Sequence, residues 1–398
     1  MANDNKYIPA LRFPEFKNDG EWKICKLSDI AKRKVAKNRQ GLKLPVYTNS
    51  AIGGVVNQDE YFDREIVTKE NIVNYGIVEH NDFVYNPRVS TAAPVGPISR
   101  NKLDRGIMSP LYLIFGFNKG DVNFFEYYFK SAHWHNYLKA KANYGARFDR
   151  INITTDDFMD MPMPYPNPRE QKKIADCLFS LDSYIDATKR KLELLKDHKK
   201  GLMQRLFPAK GKTIPALRFP EFQDDGEWIP RPLSDILNYE QPTPYIVEDD
   251  TYKIEGTPVL TANKGFILGY TDESFGIYNK LPVIIFDDFT TDKKYVDSPF
   301  KIKSSAIKLL TLKDEERENL RFVFECMNNI VFEEKEHKRY YISEYQHINI
   351  YVPSSLQEQN QIADTLLSVD KQISEYDIKI KALEIHKKGL MQQLFPKL

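Results

Sequence analysis

Arginine, lysine, asparagine, serine and threonine side chains gather in a few short stretches of this chain, set between apolar runs. Such groups hydrogen-bond base edges in a DNA major groove, where Arg addresses guanine and Asn or Gln addresses adenine. In the first half, NPRVSTAAPVGPISRNK supplies Arg88, Ser90, Thr91, Arg100, Asn101 and Lys102, and NYGARFDR adds Asn143, Tyr144, Arg147 and Arg150. In the second half, TANKG supplies Thr261, Asn263 and Lys264, and DFTTDKK supplies Thr290, Thr291, Lys293 and Lys294. Arg339 and Tyr340 follow in a further basic cluster. Taken singly, each reads as a solvated loop residue or a turn former. As groups, they predict loops that face nucleic acid.

Motifs for covalent chemistry are missing. A DNA amino-methyltransferase needs an Asn/Asp-Pro-Pro-aromatic loop, and Asn86-Pro87-Arg88 lacks the second proline. Gly53-Gly54 alone does not make a methyl-donor turn. Gly211-Lys212-Thr213 imitates the end of a P-loop, but Leu206 stands where the first glycine belongs, and a helix rather than a strand precedes it. His133 and His135 sit two apart on a predicted helix and so point to different faces, which argues against a metal site. No carboxylates have nuclease spacing. The chain is therefore expected to be noncatalytic, with no metal and no cofactor of its own.

The elements that must position these loops are repeated. PALRFPEFKNDGEWKICKLSDI (9–30) returns as PALRFPEFQDDGEWIPRPLSDI (215–236), identical at 16 of 22 positions. A second segment, 168–208, returns at 356–396 with 21 of 41 positions identical. Within it Ile174, Leu178, Leu181, Ile185, Thr188, Leu192, Leu195, Lys199, Leu202 and Leu206 alternate at spacings of four and three. The second copy gives Ile362, Leu366, Val369, Ile373, Tyr376, Ile380, Leu383, Lys387, Leu390 and Leu394. An apolar period of 3.5 makes a coiled-coil seam. Each helix would be a rod of roughly 55 Å at about 1.5 Å per residue, stopped by Leu-Phe-Pro at Pro208 or Pro396. The long block between the copies lets the second helix return antiparallel to the first, although each could instead pack on its own neighbour.

The four segments divide the chain into a first recognition domain at 1–167, a helix at 168–208, a second recognition domain at 209–355 and a helix at 356–398. The inserts read as mixed strand and loop, with runs such as DFVYNP and LPVIIFDDF. Each is expected to carry one amphipathic helix, NFFEYYFKSAHWHNYLKAK or NLRFVFECMNNIVFEEK. PVYTNSAIGGVV (45–56) aligns with PVLTANKGFILG (258–269), so the inserts are read as two divergent copies of one α/β fold. A hydrophobic content of 41% over 398 residues is enough for two cores. Three scattered cysteines, Cys25, Cys177 and Cys326, suit reduced thiols in the cytoplasm, and no apolar run is long enough to span a membrane.

Two variable blocks alternate with two helices that open on E-Q-x-x-I-A-x-x-L-x-x-x-D and close on K-K-G-L-M-Q-x-L-F-P. This order, covering essentially the whole chain, resembles the DNA-specificity subunit of type I restriction–modification enzymes. The resemblance implies that each variable block reads one half of an interrupted duplex target. It also implies an antiparallel coiled coil that holds the blocks apart and docks two methyltransferase subunits, each presented with an adenine. Two ATP-dependent restriction subunits would complete the assembly. S-adenosylmethionine and ATP with magnesium would belong to those partners. One alternative is a duplicated coiled-coil scaffold that joins proteins without touching DNA, and a third reading is a DNA-modifying enzyme whose site these motifs do not reveal.

Charge fits least easily. The chain carries 57 Lys and Arg against 56 Asp and Glu. Residues 31–167 hold 18 against 14, and residues 237–355 hold 14 against 20. Binding to phosphates then requires the cations to be segregated onto one face. Lys32, Arg33, Lys34, Lys37 and Arg39 are the first candidates. A near-neutral chain also implies basic partners that supply much of the grip on DNA.

Overall fold

The computed structural model describes residues 7–61, 72–142, 149–263, 265–333 and 338–397. The chain divides into two compact units, Met1–Lys189 with Ile378–Leu398, and Arg190–Asp377. Each unit takes one recognition block, the beginning of the long helix that follows it, and the end of the other long helix. The units thus cut across the four linear segments of the sequence.

In the first unit four antiparallel strands lie in the order Ala31–Arg33, Leu113–Phe117, Phe83–Tyr85, Ile98–Arg100. Side chains alternate across a strand, so this sheet feeds two cores. Phe83, Tyr85 and Phe115 pack with Phe124, Phe125, Tyr128 and Phe129 of the helix Val122–Lys130. Val84 and Ile114 on the opposite face pack with Tyr47, Val78 and Met108 of a second sheet. That sheet runs Gly54–Asn57, Val46–Ser50, Gly106–Met108, Gly76–Val78, with its middle pair parallel. Cover on both faces explains why the central strands are apolar almost throughout.

The second unit repeats this plan. Leu237–Glu240, Ile307–Leu312, Val283–Asp287 and Lys293–Val296 form the central sheet. Ile284, Phe286 and Leu310 face the helix Leu320–Asn328, while Ile285 and Leu309 face the other way. The second sheet here has three strands, Ile267–Thr271, Thr257–Leu260 and Lys301–Ile302, again with one parallel pair. Where the first unit has its fourth strand, Gly76–Val78, the second has a single antiparallel bridge, Tyr278 to Phe300. The aligned runs at 45–56 and 258–269 are both hairpins.

The first amphipathic helix differs from its expected form. In place of one helix there are two, Val122–Lys130 and His135–Lys141. Ser131 ends the first by taking an extended conformation, its hydroxyl 2.6 Å from the Tyr128 carbonyl. Trp134 then turns its indole into the core and donates to the Phe129 carbonyl at 3.1 Å.

The repeated segments are the frame. Each long helix has 39 residues, Pro168–Leu206 and Leu356–Leu394. The opening Glu of each is almost fully buried and grips an arginine of the head segment with both oxygens. Glu170 holds Arg12 at 2.7 and 2.8 Å, and Glu358 holds Arg218 at 2.8 Å twice. The following Gln accepts the backbone N–H of the capping residue of the domain helix. Gln171 takes that of Asp121 at 2.8 Å, and Gln359 that of Asn319 at 2.9 Å. The closing Leu-Phe completes a core. Phe207 lies 6.1 Å from Trp228 and 5.6 Å from Phe322, while Phe395 lies 6.5 Å from Trp22 and 5.4 Å from Phe124.

In each unit the two helical pieces run antiparallel. Asp182 pairs with Lys387 and Lys189 with Glu384 in the first unit, so numbers rise along one helix as they fall along the other. In the second, Lys199 meets Asp370 at 2.8 Å, and Met203 and Leu206 share a core with Ile362 and Leu366. Of the seam residues, Ile174, Leu178, Ile185, Leu192 and Leu195 are buried, as are Ile362, Leu366, Val369 and Ile380. Leu181, Leu202, Ile373, Leu383 and Leu390 are half-buried. Two α/β domains and an antiparallel helix pair are therefore the architecture.

Candidate nucleic-acid interface

In the first unit three distant segments meet at one end of the central sheet. They are the hairpin tip at 51–53, the loop 86–97 that leaves the strand Phe83–Tyr85, and the stretch 149–152. Asn86 donates to the Asn49 carbonyl at 2.9 Å, and Asn49 donates to the carbonyls of Val84 and Pro97. Val89 and Ile151 exchange backbone bonds with Asp149 and Pro87, which pairs Arg88 with Arg150 across a bridge. Gly96 closes the loop at φ 79, where a Cβ would lie 2.0 Å from the Asn86 carbonyl oxygen. Ser90 and Ala93 exchange backbone bonds in a turn, and Arg88, Ser90 and Thr91 stand exposed on it.

Two clefts flank this loop. One, of about 450 Å³, is lined by Arg33, Arg150, Tyr85, Tyr112 and Asn152 among others. The other, of about 460 Å³, lies beside the hairpin tip, Ser99 and Lys102. Lys102 is well exposed, with its ammonium 2.7 Å from Glu126. Lys32, Arg33, Lys37 and Arg39 are exposed as well, whereas Lys34 leans to within 3.8 Å of Asp82.

Two expectations in this unit are corrected. Arg100 is folded inward on its strand, bonding to Asn81 and Asn123 and lying 3.3 Å from Glu126. Glu126 gathers Arg100, Lys102 and Lys130. Burial pushes its carboxyl upward, but Lys130 and Lys102 outweigh burial and hold it below the usual range. Asn101 is fully buried, donates to the Glu79 carbonyl and accepts from the Leu103 N–H, so it serves a turn. Asn143, Tyr144 and Arg147 lie outside the described residues.

The second unit brings the corresponding three segments together. The hairpin loop is closed by the Thr261 N–H on the Phe266 carbonyl, and Asn263 meets the Thr290 hydroxyl at 3.4 Å. The turn after the strand Val283–Asp287 is built by Asp287, which accepts the N–H groups of Phe289 and Thr290. The third segment is tied on by Asp288, which receives the Tyr340 and Tyr341 N–H groups at 2.8 Å each. Arg339 lies over the Phe289 ring at 5.9 Å. Exposed Asn263, Thr290 and Arg339 thus stand together, from three parts of the sequence.

Other candidates here do not face outward. Thr291 is buried with φ 53 and closes the turn onto the Asp287 carbonyl. Lys293 and Lys294 belong to a strand rather than a loop, because Asp292 bonds back to Asp287 and restarts the ladder. Lys293 shares the helix-side face with Phe286, sits 5.7 Å above the Tyr345 ring, and burial pulls its ammonium pKa down. Lys294 is half-buried on the opposite face. Tyr340 is buried against Phe332 at 5.1 Å and supports the loop from beneath. Lys264 lies outside the described residues. A buried pair, Lys308 and Asp288 at 3.3 Å, underlies this site, and no sequence spacing signalled it.

Burial also decides the thiols. Cys25 is pushed up to about 11 and Cys326 well above its ordinary value, so both stay protonated and unreactive near neutrality. The single helix expected to carry His133 and His135 is broken between them: His133 lies in the turn, 6.3 Å from Phe395, and His135 opens the second helix, packed edge-on to Trp134. Among the described residues, no helix is long and apolar enough to cross a membrane.

Known proteins share both sequence and fold with this chain. Residues 19–197 match the family described as the type I restriction modification DNA specificity domain. A relative from Escherichia coli, the type I restriction enzyme EcoR124I/EcoR124II specificity subunit, is 50% identical over 135 residues, 32% of this chain and 32% of that subunit. The match thus spans about a third of that relative's length. Among solved structures, the S subunit of a type I restriction–modification system from M. genitalium aligns with a TM-score of 0.64 at 14% identity, over 98% of this chain and 99% of that one. A chain from a structure describing complex assembly and conformational transition of the type I R-M system aligns at 0.50 and 14% identity, over 95% and 98%. At such identities the structural likeness speaks for the fold alone. Residues 19–197 are thus similar to the type I restriction modification DNA specificity domain, and the frame elements within that stretch recur in the second half of the chain.

Proposed function

We propose that this chain is the sequence-reading subunit of a type I restriction–modification assembly, each of its two units reading one half of an interrupted duplex target. The observation that carries this is the duplicated site. In both units a hairpin tip, the loop after the strand Phe83–Tyr85 or Val283–Asp287, and the segment 149–152 or 339–341 converge, and the side chains they present differ. Arg88, Ser90, Thr91, Arg150 and Lys102 form the first surface; Asn263, Thr290 and Arg339, with Thr261 at its base, form the second. Arg and Asn are the side chains that discriminate guanine and adenine in the major groove. The chain itself is noncatalytic in this reading. Two methyltransferase subunits bring S-adenosylmethionine to an adenine in each half-site, and two restriction subunits bring ATP and magnesium, all in the cytoplasm.

Methylation sequencing of cells with and without this gene tests the reading. One interrupted, asymmetric motif carrying a modified adenine on each strand is expected only when the gene is present. Duplex binding by the chain with its methyltransferase should be sequence-specific and weaken steeply with salt. Assembly with that partner but no motif and no duplex binding would instead establish the scaffold.

A further inference from the structure

The long helices carry a polar device that the stability of their seam does not need. Lys199 and Lys387 stand at interior heptad positions, where leucine or isoleucine would pack better. Each ammonium is largely covered and reaches an aspartate on the opposite helix: Lys199 meets Asp370 at 2.8 Å, and Lys387 meets Asp182. The pairs are equivalent in the repeat, both partners lying 188 residues apart from their counterparts.

Each pair also reaches the helix of its recognition domain. In the first unit the Tyr127 hydroxyl donates to Asp182 at 2.9 Å, and Lys387 lies over the Tyr127 ring. In the second, Arg321 bonds Asp370 and buried Glu325, and Glu325 lies 3.4 Å from Lys199. Tyr127 and Glu325 occupy matching turns of the two domain helices, sixth of nine residues in each. So one aspartate in each unit ties together both long helices and the domain that rides on them.

Slipped registers lose these pairs. A shift of one heptad one way gives Lys199 the carboxylate of Asp377 but sets Lys387 against Lys189; the other way sets Lys387 against Ala175 and Lys199 against Ala363, so each slip leaves at least one lysine without a carboxylate. Apolar heptad residues tolerate such slips, because leucine meets leucine in each of them. A covered ammonium without a carboxylate does not.

We propose that Lys199–Asp370 and Lys387–Asp182 are positioning pairs that fix a single register of the helix pair and the seating of each recognition domain on it, and so set the spacing between the two half-sites. This rests on the reading of a two-part target given above. If the wild-type complex yields no two-part motif, that reading fails first and on its own.

The test uses the full chain assembled with its methyltransferase, and duplexes carrying the two half-sites found by methylation sequencing, with spacers from two base pairs shorter to two longer. Wild type should prefer one spacer by about tenfold or more, as for a mismatched position. The double variant Lys199→Met, Lys387→Met should fold with an unchanged or raised Tm and methylate neighbouring spacers within about threefold of the best one. The exchanged pair Asp182→Lys, Lys387→Asp, combined with Lys199→Met, should recover part of the preference. A double variant that is unfolded, or that keeps the wild-type spacer preference, would overturn the proposal, as would an exchanged pair that recovers nothing.

Discussion

Arg12 and Arg218 face carboxylates that have almost no access to water, and this makes them the most consequential charges in the frame. Removing one partner of a buried pair strands the other, at a cost of about 3–5 kcal/mol. Arg218→Ala should therefore lower the Tm of the second unit sharply, whereas Lys172→Ala, whose pair with Asp176 in the first unit is exposed, should change that unit's stability by less than about 0.5 kcal/mol. Thermal unfolding of both variants checks this. At the candidate interface the contrast is between kinds of contact. Arg339→Ala should leave assembly intact. If the guanidinium meets a base, binding falls by about 1–3 kcal/mol at one position of the target. If it meets phosphate, all sequences weaken alike and the salt slope drops by about one. Unchanged affinity in a duplex titration would remove Arg339 from the interface.

Among the elements, the helix ends contribute as much as the seam. Phe395 stands among Trp22, Phe124 and Tyr128, so the last turn of the second long helix completes the core of the first unit. The Leu11 N–H on the Gln393 carbonyl fastens the head segment there, as the Leu217 N–H does on Arg205 in the second unit. Phe395→Ala should cost about 3–5 kcal/mol and expose the first recognition block to protease, although the two are far apart in sequence. Phe207→Ala should do the same to the second block. Limited proteolysis followed by mass measurement tells which block opens. Equal cleavage of both blocks by either variant would refute this division of labour.

For the whole molecule, the frame and the candidate surfaces are separable in sequence. Residues that build the frame recur in both copies: Arg12 and Arg218, Glu170 and Glu358, Gln171 and Gln359, Phe207 and Phe395. Those that stand at the convergent loops do not recur. Replacing residues 31–167 with the block of another family member should change one half of the methylated motif and leave the other half and the assembly intact. Methylation sequencing reads the outcome, and a change in both halves would contradict modular reading.

The sequence by itself determined the duplication, the two long helices and the α/β character of the inserts, because repeats and 3.5-residue periodicity are local patterns along the chain. The segments it singled out as candidates, 86–91 with 149–150, and 261–263 with 290 and 339, do come together. Only the tertiary structure decided which side chains within them remain available. Arg100 turned to Asn81 and Glu126, Lys293 to the Tyr345 ring, and Tyr340 into the core. A cation's fate depends on partners far away in sequence and on the face of a strand it occupies, and loop composition encodes neither. The seam lysines are the same case. Spacing marked Lys199 and Lys387 as interior, but that aspartates 171 and 205 residues away complete them followed only from folding the helices together.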